Sequence, residues 1–468
     1  MDPIFIILIG TAVVLFCVIV LKLHAVISLI SAALVTGLLT SPELIFDYAI
    51  HSGMTDQEAH SLAALSLGKR LAIAFGNTSG KIGIIIALAS IIGTSLMRSG
   101  GAERIVRSLL GLFGKKNTSL AFLSGSFTLA IPVFFDTVFY LMIPLVKSIG
   151  VRNPKKFGLY LMTVIAGGVM AHTLIPPTPG PLFVAEELGI DLGIMMIAGL
   201  IIGGITTFSG YTYALWANRK WELPIRDTPD ISVEDLKHFS EKENKELPRL
   251  WISILPVVLP ILLITGNTIS GMLDEGRSAN GILSTLGDPN MALAISAAIA
   301  IFLLWSRLKD LTKFKKFITE ALTSAGIIIL ITSSGGAFGQ ILQQTGIGIR
   351  VAELAVNYQM ALLPLAFFIT AVVRTAQGSA TIAMVTAIGI MSGIGSADLQ
   401  FHPVYIAMAI GCGSKIFAWM NDSAFWIITK MSGMEEKETI RHFSMLLIVM
   451  GISGLIAVMI LSRIFPFI

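Results

Sequence analysis

The sequence predicts an all-α, multi-pass membrane protein built from two repeats that are inverted relative to each other. The first observation behind this prediction is composition: of 468 residues, 54% are hydrophobic and only 13% are charged, whereas soluble proteins carry about 25% charged residues. The second is an internal repeat with a steady offset. The third is a polar or proline-rich break at matching points of both halves, which predicts interrupted helices at membrane depth.

Short motifs of the first half return in the second half at offsets between 242 and 246 residues. The matching segments are 83–86 with 326–329, 99–100 with 345–346, 131–137 with 373–379, and 188–189 with 432–433. A steady offset over this length indicates a duplicated unit. Paired interrupted segments in two membrane halves are typical of the substrate site of a secondary transporter.

Each half is predicted to contain three spans, a re-entrant hairpin, a broken helix and a final span. A single crossing needs about 20 apolar residues, and the apolar blocks 118–149 and 360–394 are longer and carry a polar break in the middle. We expect these blocks to be re-entrant hairpins, which are tolerated at membrane depth only inside protein or along a wet cavity. The broken helices are predicted at 157–189 and 401–432. The remaining spans are predicted at 4–21, 24–40, 80–97, 191–216, 251–265, 291–305, 319–342 and 443–461.

The distribution of basic residues predicts opposite orientations for the two hairpins. Lysines and arginines cluster on both sides of the first hairpin and before the third span of the second half, and such clusters mark cytoplasmic segments. The first hairpin is therefore expected to enter from the cytoplasm and the second from outside. The predicted units are a first repeat at 1–216, a cytoplasmic linker at 217–249 and a second, inverted repeat at 250–468.

The tip of the first hairpin carries an acidic residue at membrane depth. Pro132 ends one arm, because proline lacks an N–H and clashes with the preceding turn, and Asp136 and Thr137 open the next arm. Charged groups at this depth are costly and so mark function. Asp136 is interpreted either as the N-cap of the second arm or as a proton-coupling site, and Thr137 is a candidate substrate contact.

The first broken helix contains four prolines within the segment PPTPGP at 176–181. This run cannot stay helical, and unwound backbone leaves N–H and C=O groups free for an ion or a solute. Thr173 and Thr178 add hydroxyl groups and are candidate substrate contacts. His172 is a candidate for proton coupling because imidazole titrates near neutral pH, with a packing role as the alternative.

An arginine at the tip of the second hairpin indicates the chemistry of the substrate. The tip reads RTAQGSAT at 374–381. The planar guanidinium of Arg374 fits a carboxylate through two parallel hydrogen bonds, and Gln377 and Ser379 offer the neutral donors and acceptors that a hydroxylated solute needs. The alternative is an internal ion pair of Arg374 with Asp136 or Asp422.

The second broken helix has Asn421, Asp422 and Ser423 at its break. Asp422 is a second candidate for proton coupling, with helix capping as the alternative, and Asn421 and Ser423 are candidate substrate contacts. Lys415 lies a few residues earlier. It is either an ion-pair partner of Asp422 or a ligand of the anion, and both roles fit the sequence.

Nothing in the sequence predicts an enzyme, a metal site, a cofactor or a nucleic-acid partner. There is no phosphate-binding loop of the Walker type. Cys17 and Cys412 lack the spacing of a disulfide or a zinc site. The net charge of +4 reflects loop topology in a membrane protein. A buried Asp and His would permit a membrane enzyme, but no nucleophile–base spacing supports one.

Four stretches carry a resemblance to a known family. They are IPVFFDTVFYLMIPLV at 131–146, AHTLIPPTPGP at 171–181, RTAQGSATI at 374–382 and GSKIFAWMNDSAF at 413–425. With these motifs the chain resembles the gluconate:proton symporter family, within the ion transporter superfamily, over essentially its whole length. The resemblance implies a homodimer in the bacterial inner membrane whose mobile part carries substrate by an elevator motion. It also implies gluconate and related sugar acids as substrates, with D-serine for some members.

The residues and the resemblance together predict secondary active uptake of a small hydroxylated monocarboxylate by proton symport. The alternatives are uptake of D-serine or another small polar carboxylate, sodium-coupled symport, and a passive facilitator. The serine- and asparagine-rich sodium motifs of the superfamily's dicarboxylate branch are absent as such, which favours protons.

Overall fold

The computed structural model describes residues 3–226, 247–273, 282–346, 359–391, 399–420 and 422–467. Every regular element within these ranges is a helix, which confirms the predicted all-α class. Seven helical segments among the described residues are long and apolar enough to cross a membrane, one of which (154–187) runs across a helix break, and an eighth candidate is a helix pair that bends by 101°. Most of the predicted linker at 217–249 lies outside the described residues.

The first half contains eleven α-helices in the described residues. They are α1 (Pro3–Leu15, continued by a π-helical turn at Phe16–Val20), α2 (Ala25–Leu39), α3 (Pro42–His51), α4 (Asp56–Ala64), α5 (Leu67–Ser99), α6 (Gly101–Phe113), α7 (Thr118–Leu129), α8 (Phe135–Arg152), α9 (Phe157–Leu174), α10 (Pro179–Glu187) and α11 (Leu192–Lys220).

The second half contains ten α-helices in the described residues. They are α12 (Leu250–Leu273), α13 (Ile282–Leu286), α14 (Pro289–Leu308), α15 (Leu311–Gln343), α16 (Leu362–Gln377), α17 (Ala380–Ile390), α18 (Val404–Gly413), α19 (Ser423–Ser432), α20 (Glu436–Thr439, continued by a π-helical turn at Ile440–Ser444) and α21 (Met445–Ile464).

The largest difference from the hydropathy pattern lies at the start of α5. The sequence predicts a span from residue 80, but the helix begins at Leu67. The hydropathy pattern does not indicate this start, because Arg70 is charged and a charged residue argues against a buried helix. The structure buries Arg70, whose guanidinium donates to the side-chain carbonyl of Gln344 at 2.6 Å. A partner that lies 274 residues away leaves no local pattern in the sequence.

Four helix pairs are interrupted at the predicted breaks. Residues 130–134, which include Pro132, separate α7 from α8, and residues 175–178 separate α9 from α10. Pro179 is the first residue of α10, where its missing N–H has no helical partner to lose. Gly378 ends α16 with φ +79°, a left-handed conformation that glycine adopts without strain. Residues 414–422 separate α18 from α19.

The two halves pack against each other in a reciprocal pattern. α5 packs on α15 and α11 on α21, and α2 contacts α15 just as α14 contacts α5. At the interrupted pairs, α8 of the first half contacts α19 of the second, and α17 of the second contacts α10 of the first. The Oγ atoms of Ser209 and Ser453, 244 residues apart, lie 2.6 Å from each other. This separation falls within the range of the repeat offsets.

Helix α9 is the centre of the fold. Each of its residues except His172 is buried. Neighbouring helices approach it closely at glycine: a Cβ atom on Gly167 would lie 2.3 Å from the backbone oxygen of Leu123 in α7. Small residues allow such close contacts between helices in a membrane, where packing rather than water exclusion drives association. The packing fixes the position of the last turn of α9, which carries His172.

The Gly167→Ala variant is expected to unfold at a lower temperature in detergent than the parent protein. The added methyl group would overlap the backbone of α7, and overpacking a close contact costs about 1–3 kcal/mol. Gly204→Ala in α11 is the matched control, because a Cβ atom there meets nothing within 4 Å. Thermal unfolding followed by tryptophan fluorescence measures both. Equal unfolding temperatures for the two variants would contradict the described α7–α9 contact.

Candidate functional site

The four interrupted helix pairs meet at a cavity of about 270 Å³. Both halves contribute to its wall. The lining residues are Phe134, Phe135, Asp136, Val169, His172, Pro179, Ile328, Ile331, Arg374, Gly378, Ser379, Ala380, Thr381, Ile382, Lys415, Asp422, Ser423, Ala424, Phe443 and Leu447. The cavity is large enough for a small solute and places charged groups beside apolar ones.

Four helices begin at this cavity. First-turn residues of α8, α10, α17 and α19 line it, among them Asp136, Pro179, Thr381 and Ser423. The first backbone N–H groups of a helix have no partner within the helix, and the helix dipole places a partial positive charge there. The convergence of four helix N-termini makes the cavity attractive to an anion.

Side chains cap only two of the four N-termini. Ser379 Oγ accepts from the N–H of Ile382 at 3.4 Å, and Asp422 Oδ1 accepts from the N–H of Ala424 at 2.9 Å. The residues that precede α8 and α10 make no capping hydrogen bond through their side chains. Asp136 is the second residue of α8 rather than its N-cap. Its carboxylate is therefore not used to cap the helix.

Arg374 and Asp422 form a buried ion pair inside the cavity wall. The Nη2 atom of Arg374 donates to Asp422 Oδ2, and Nε donates to the backbone oxygen of Ser414 at 3.0 Å. Both residues are nearly inaccessible, at 3% and 4% exposure. Two of the guanidinium nitrogens are thus already bonded, and Nη1 is buried without a hydrogen-bond partner among the described residues. The internal ion pair considered for Arg374 is the arrangement found.

Lys415 and Asp136 are the other two charged residues of the cavity wall. Lys415 is 5% exposed and belongs to the break between α18 and α19. Within the described part of the chain, neither its ammonium group nor the Asp136 carboxylate has an ion-pair partner within 4.0 Å or a side-chain hydrogen bond. These two groups face the cavity with their charges unpaired.

The neutral lining combines an imidazole, hydroxyl groups and apolar side chains. His172 packs edge-on against Phe134, with ring centroids 5.7 Å apart, and its Nδ1 atom has no hydrogen-bond partner in the part of the chain that the structure describes. Ser379, Thr381 and Ser423 bring hydroxyl groups to the wall. These groups can donate to and accept from a hydroxylated solute.

Other candidate residues from the sequence are not among those that line the cavity. The hydroxyl of Thr173 donates to the backbone oxygen of Val169 at 2.7 Å, and that of Thr178 donates to Ile175 at 2.6 Å. Thr137 and Gln377 are not among the lining residues, and Asn421 lies outside the described residues. The Thr173 hydroxyl bonds within α9 and the Thr178 hydroxyl bonds within the break, so both donate to the backbone instead of to a solute.

Several lining residues carry no sequence signal for a site. Ile328 and Ile331 come from α15, Phe443 from the π-helical turn and Leu447 from α21. Apolar residues within apolar spans look alike in sequence whether they face lipid, protein or a cavity. π-helical turns are frequent at functional sites, but a local sequence pattern does not predict one.

A family model described as the GntP family permease matches residues 2–464. The chain belongs to the GntP permease family. The permease is 32% identical over 446 residues to an uncharacterized permease of Haemophilus influenzae, covering 93% of this chain and 86% of the relative. It is 30% identical to the gluconate permease of Pseudomonas aeruginosa, and the match covers 83% of this chain and 86% of the relative. It is 29% identical to the high-affinity gluconate transporter of Escherichia coli, and the match covers 99% of this chain and 100% of the relative.

Solved structures share the fold of the permease at low sequence identity. The YdaH transporter of Alcanivorax borkumensis matches with a TM-score of 0.54 at 14% identity, covering 84% of this chain and 88% of the other. Neisseria gonorrhoeae MtrF matches with a TM-score of 0.56 at 16% identity, covering 87% and 86%. The family and the apolar helices identify the permease as a multi-pass inner membrane protein, and as a transporter rather than an enzyme.

The Asp422→Asn variant is expected to lose about 3–5 kcal/mol of stability, because it leaves the buried Arg374 charge uncompensated. Asparagine keeps the helix cap, so the loss of stability reports the removal of the negative charge alone. The double variant Arg374→Gln/Asp422→Asn should be more stable than the single one. Thermal unfolding in detergent measures both.

The exposed ion pair of Arg98 and Glu320, at 3.1 Å, supplies the control for this cycle. Glu320→Gln should change stability by about 1 kcal/mol or less. If Asp422→Asn destabilised the protein as little as this control, the ion pair of Arg374 and Asp422 would not stabilise the fold.

Proposed function

We propose that this permease is a secondary active transporter that imports a small hydroxylated monocarboxylate, gluconate or a related sugar acid, together with protons. Relatives named gluconate permease or gluconate transporter cover most or all of the chain. The observation that carries the proposal is the cavity itself: four helix N-termini and an unpaired lysine face it. This arrangement favours one carboxylate.

The polar wall supports the second part of the substrate assignment. Ser379, Thr381 and Ser423 would contact the hydroxyl groups of a sugar acid, and His172 would contribute a ring nitrogen. Sites that hydrogen-bond a substrate hydroxyl discriminate against analogues that lack it, since the buried polar groups would otherwise stay unpaired. A hydroxylated acid should therefore bind better than a plain alkyl acid.

We further propose that the two halves are inverted repeats and that transport is an elevator motion. The reciprocal packing of α5 with α15, of α11 with α21, and of the interrupted helices across the halves supports a local two-fold relation. The contact between Ser209 and Ser453, one repeat apart, is expected where such an axis passes. The mobile part would contain α7–α10 and α16–α19, and the hairpins would enter from opposite sides. The homodimer belongs to the same proposal.

Uptake of radiolabelled gluconate into proteoliposomes tests the proposed function. With a more acidic outside, gluconate should accumulate above its external concentration, and a protonophore should abolish the accumulation. Liposomes without protein are the control. Equilibration without accumulation would make the protein a facilitator, and a requirement for a sodium gradient would overturn proton coupling. Competition by D-serine but not by sugar acids would overturn the substrate class.

A further inference from the structure

We propose that Lys415 and Asp136 couple the substrate to its proton by charge balance, so that one proton travels with each monocarboxylate. The substrate carboxylate binds the Lys415 ammonium group, and the proton binds the Asp136 carboxylate. This inference rests on the proposed function, because it assigns the coupling within the same cavity. It also assigns the anchoring of the carboxylate to Lys415 instead of Arg374.

Four charged side chains line the cavity, two acidic and two basic. Arg374 and Asp422 neutralise each other and are held by further hydrogen bonds to Ser414 and Ala424. The charges that remain available are the positive one on Lys415 and the negative one on Asp136. In the described residues neither has an ion-pair partner within 4.0 Å. A solute that enters the cavity therefore meets one cation and one anion that have no bonded partner among the described residues and that interact with each other through space.

The charge count separates states that can cross the membrane from states that cannot. The empty cavity, with Lys415 positive and Asp136 negative, carries no net charge. The carboxylate alone would make it negative, and a proton alone on Asp136 would make it positive. Only the cavity that holds both is neutral again. Because net charge at membrane depth is costly, the neutral empty and fully loaded states move, and the two half-loaded states do not.

Other titratable groups facing Asp136 do not take over its role. From α9 it faces His172, from α16 Arg374, and from the break before α19 Lys415 and Asp422; α7 carries no charged residue. Protonation of His172 would add a second cation beside Lys415 at four helix N-termini, which repel positive charge. Asp422 is ion-paired with Arg374. Asp136 is the one acid of the wall without a bonded cation in the described structure.

The Asp136→Asn variant tests the coupling, because its amide mimics a carboxyl group that is always protonated. Loaded with gluconate the cavity is neutral, but empty it keeps the Lys415 charge. Exchange of labelled for unlabelled gluconate across the proteoliposome should therefore be measurable and independent of pH. Net uptake driven by a pH gradient should fall by about 100-fold, since the empty carrier must return with a net charge. Measurable exchange also reports that the variant is folded.

The Lys415→Gln variant tests the anchor. It should lose both exchange and the thermal stabilisation that gluconate gives to the purified protein, whereas Lys415→Arg should retain part of each. Lys430→Gln is the matched control, because Lys430 is exposed on α19 and outside the cavity. A Lys415→Gln variant that binds gluconate normally would overturn the anchor.

A membrane potential tests the stoichiometry in the unmodified protein. One proton per monocarboxylate carries no net charge, so a potassium diffusion potential set with valinomycin should leave the uptake rate unchanged. A rate that rises with an inside-negative potential would overturn the one-to-one ratio, and pH-driven accumulation by Asp136→Asn would overturn the role of Asp136. If the unmodified protein fails to accumulate gluconate, the proposed function is wrong, which is a different result from either of these.

Discussion

Ending a helix at membrane depth leaves backbone N–H groups that lipid cannot satisfy, and this constraint organises the molecule. The chain interrupts four helices and directs the N-termini of α8, α10, α17 and α19 into one cavity away from lipid. The long helices pack in two pairs, α5 on α15 and α11 on α21. The cavity that results favours negative charge because of its backbone, before any side chain is considered.

The charged side chains of the cavity form two pairs with different roles. Arg374 and Asp422 join α16 to the break between α18 and α19, and their burial with hydrogen bonds to backbone groups makes them part of the wall. Lys415 and Asp136 lie in the same wall without bonded partners in the described structure. A buried ion pair is strongly destabilising to break, so the first pair is suited to holding the site together. The second pair is free to respond to an anion and a proton.

The helical class and the positions of the breaks were predictable, because proline, glycine and polar residues at membrane depth are local signals. Roles within the site were less so, because they depend on distant partners. Arg374 resembles a carboxylate anchor in the sequence, but Asp422, 48 residues away, occupies it. Thr173 and Thr178 look available to a substrate in the sequence, but their hydroxyls donate to backbone oxygens three or four residues earlier. Phe443 gives no signal at all, since its place in the wall comes from a π-helical turn.

A structure of the protein with gluconate bound, determined by electron cryo-microscopy in lipid nanodiscs, tests the central claim most directly. We expect density for the sugar acid in the cavity, with its carboxylate within about 3 Å of Lys415 Nζ and the pair of Arg374 and Asp422 intact. Density outside this cavity would show that the helix breaks do not form the substrate site. A carboxylate bound to Arg374 by both nitrogens of the fork, with Asp422 displaced, would contradict the assignment of the anchor to Lys415.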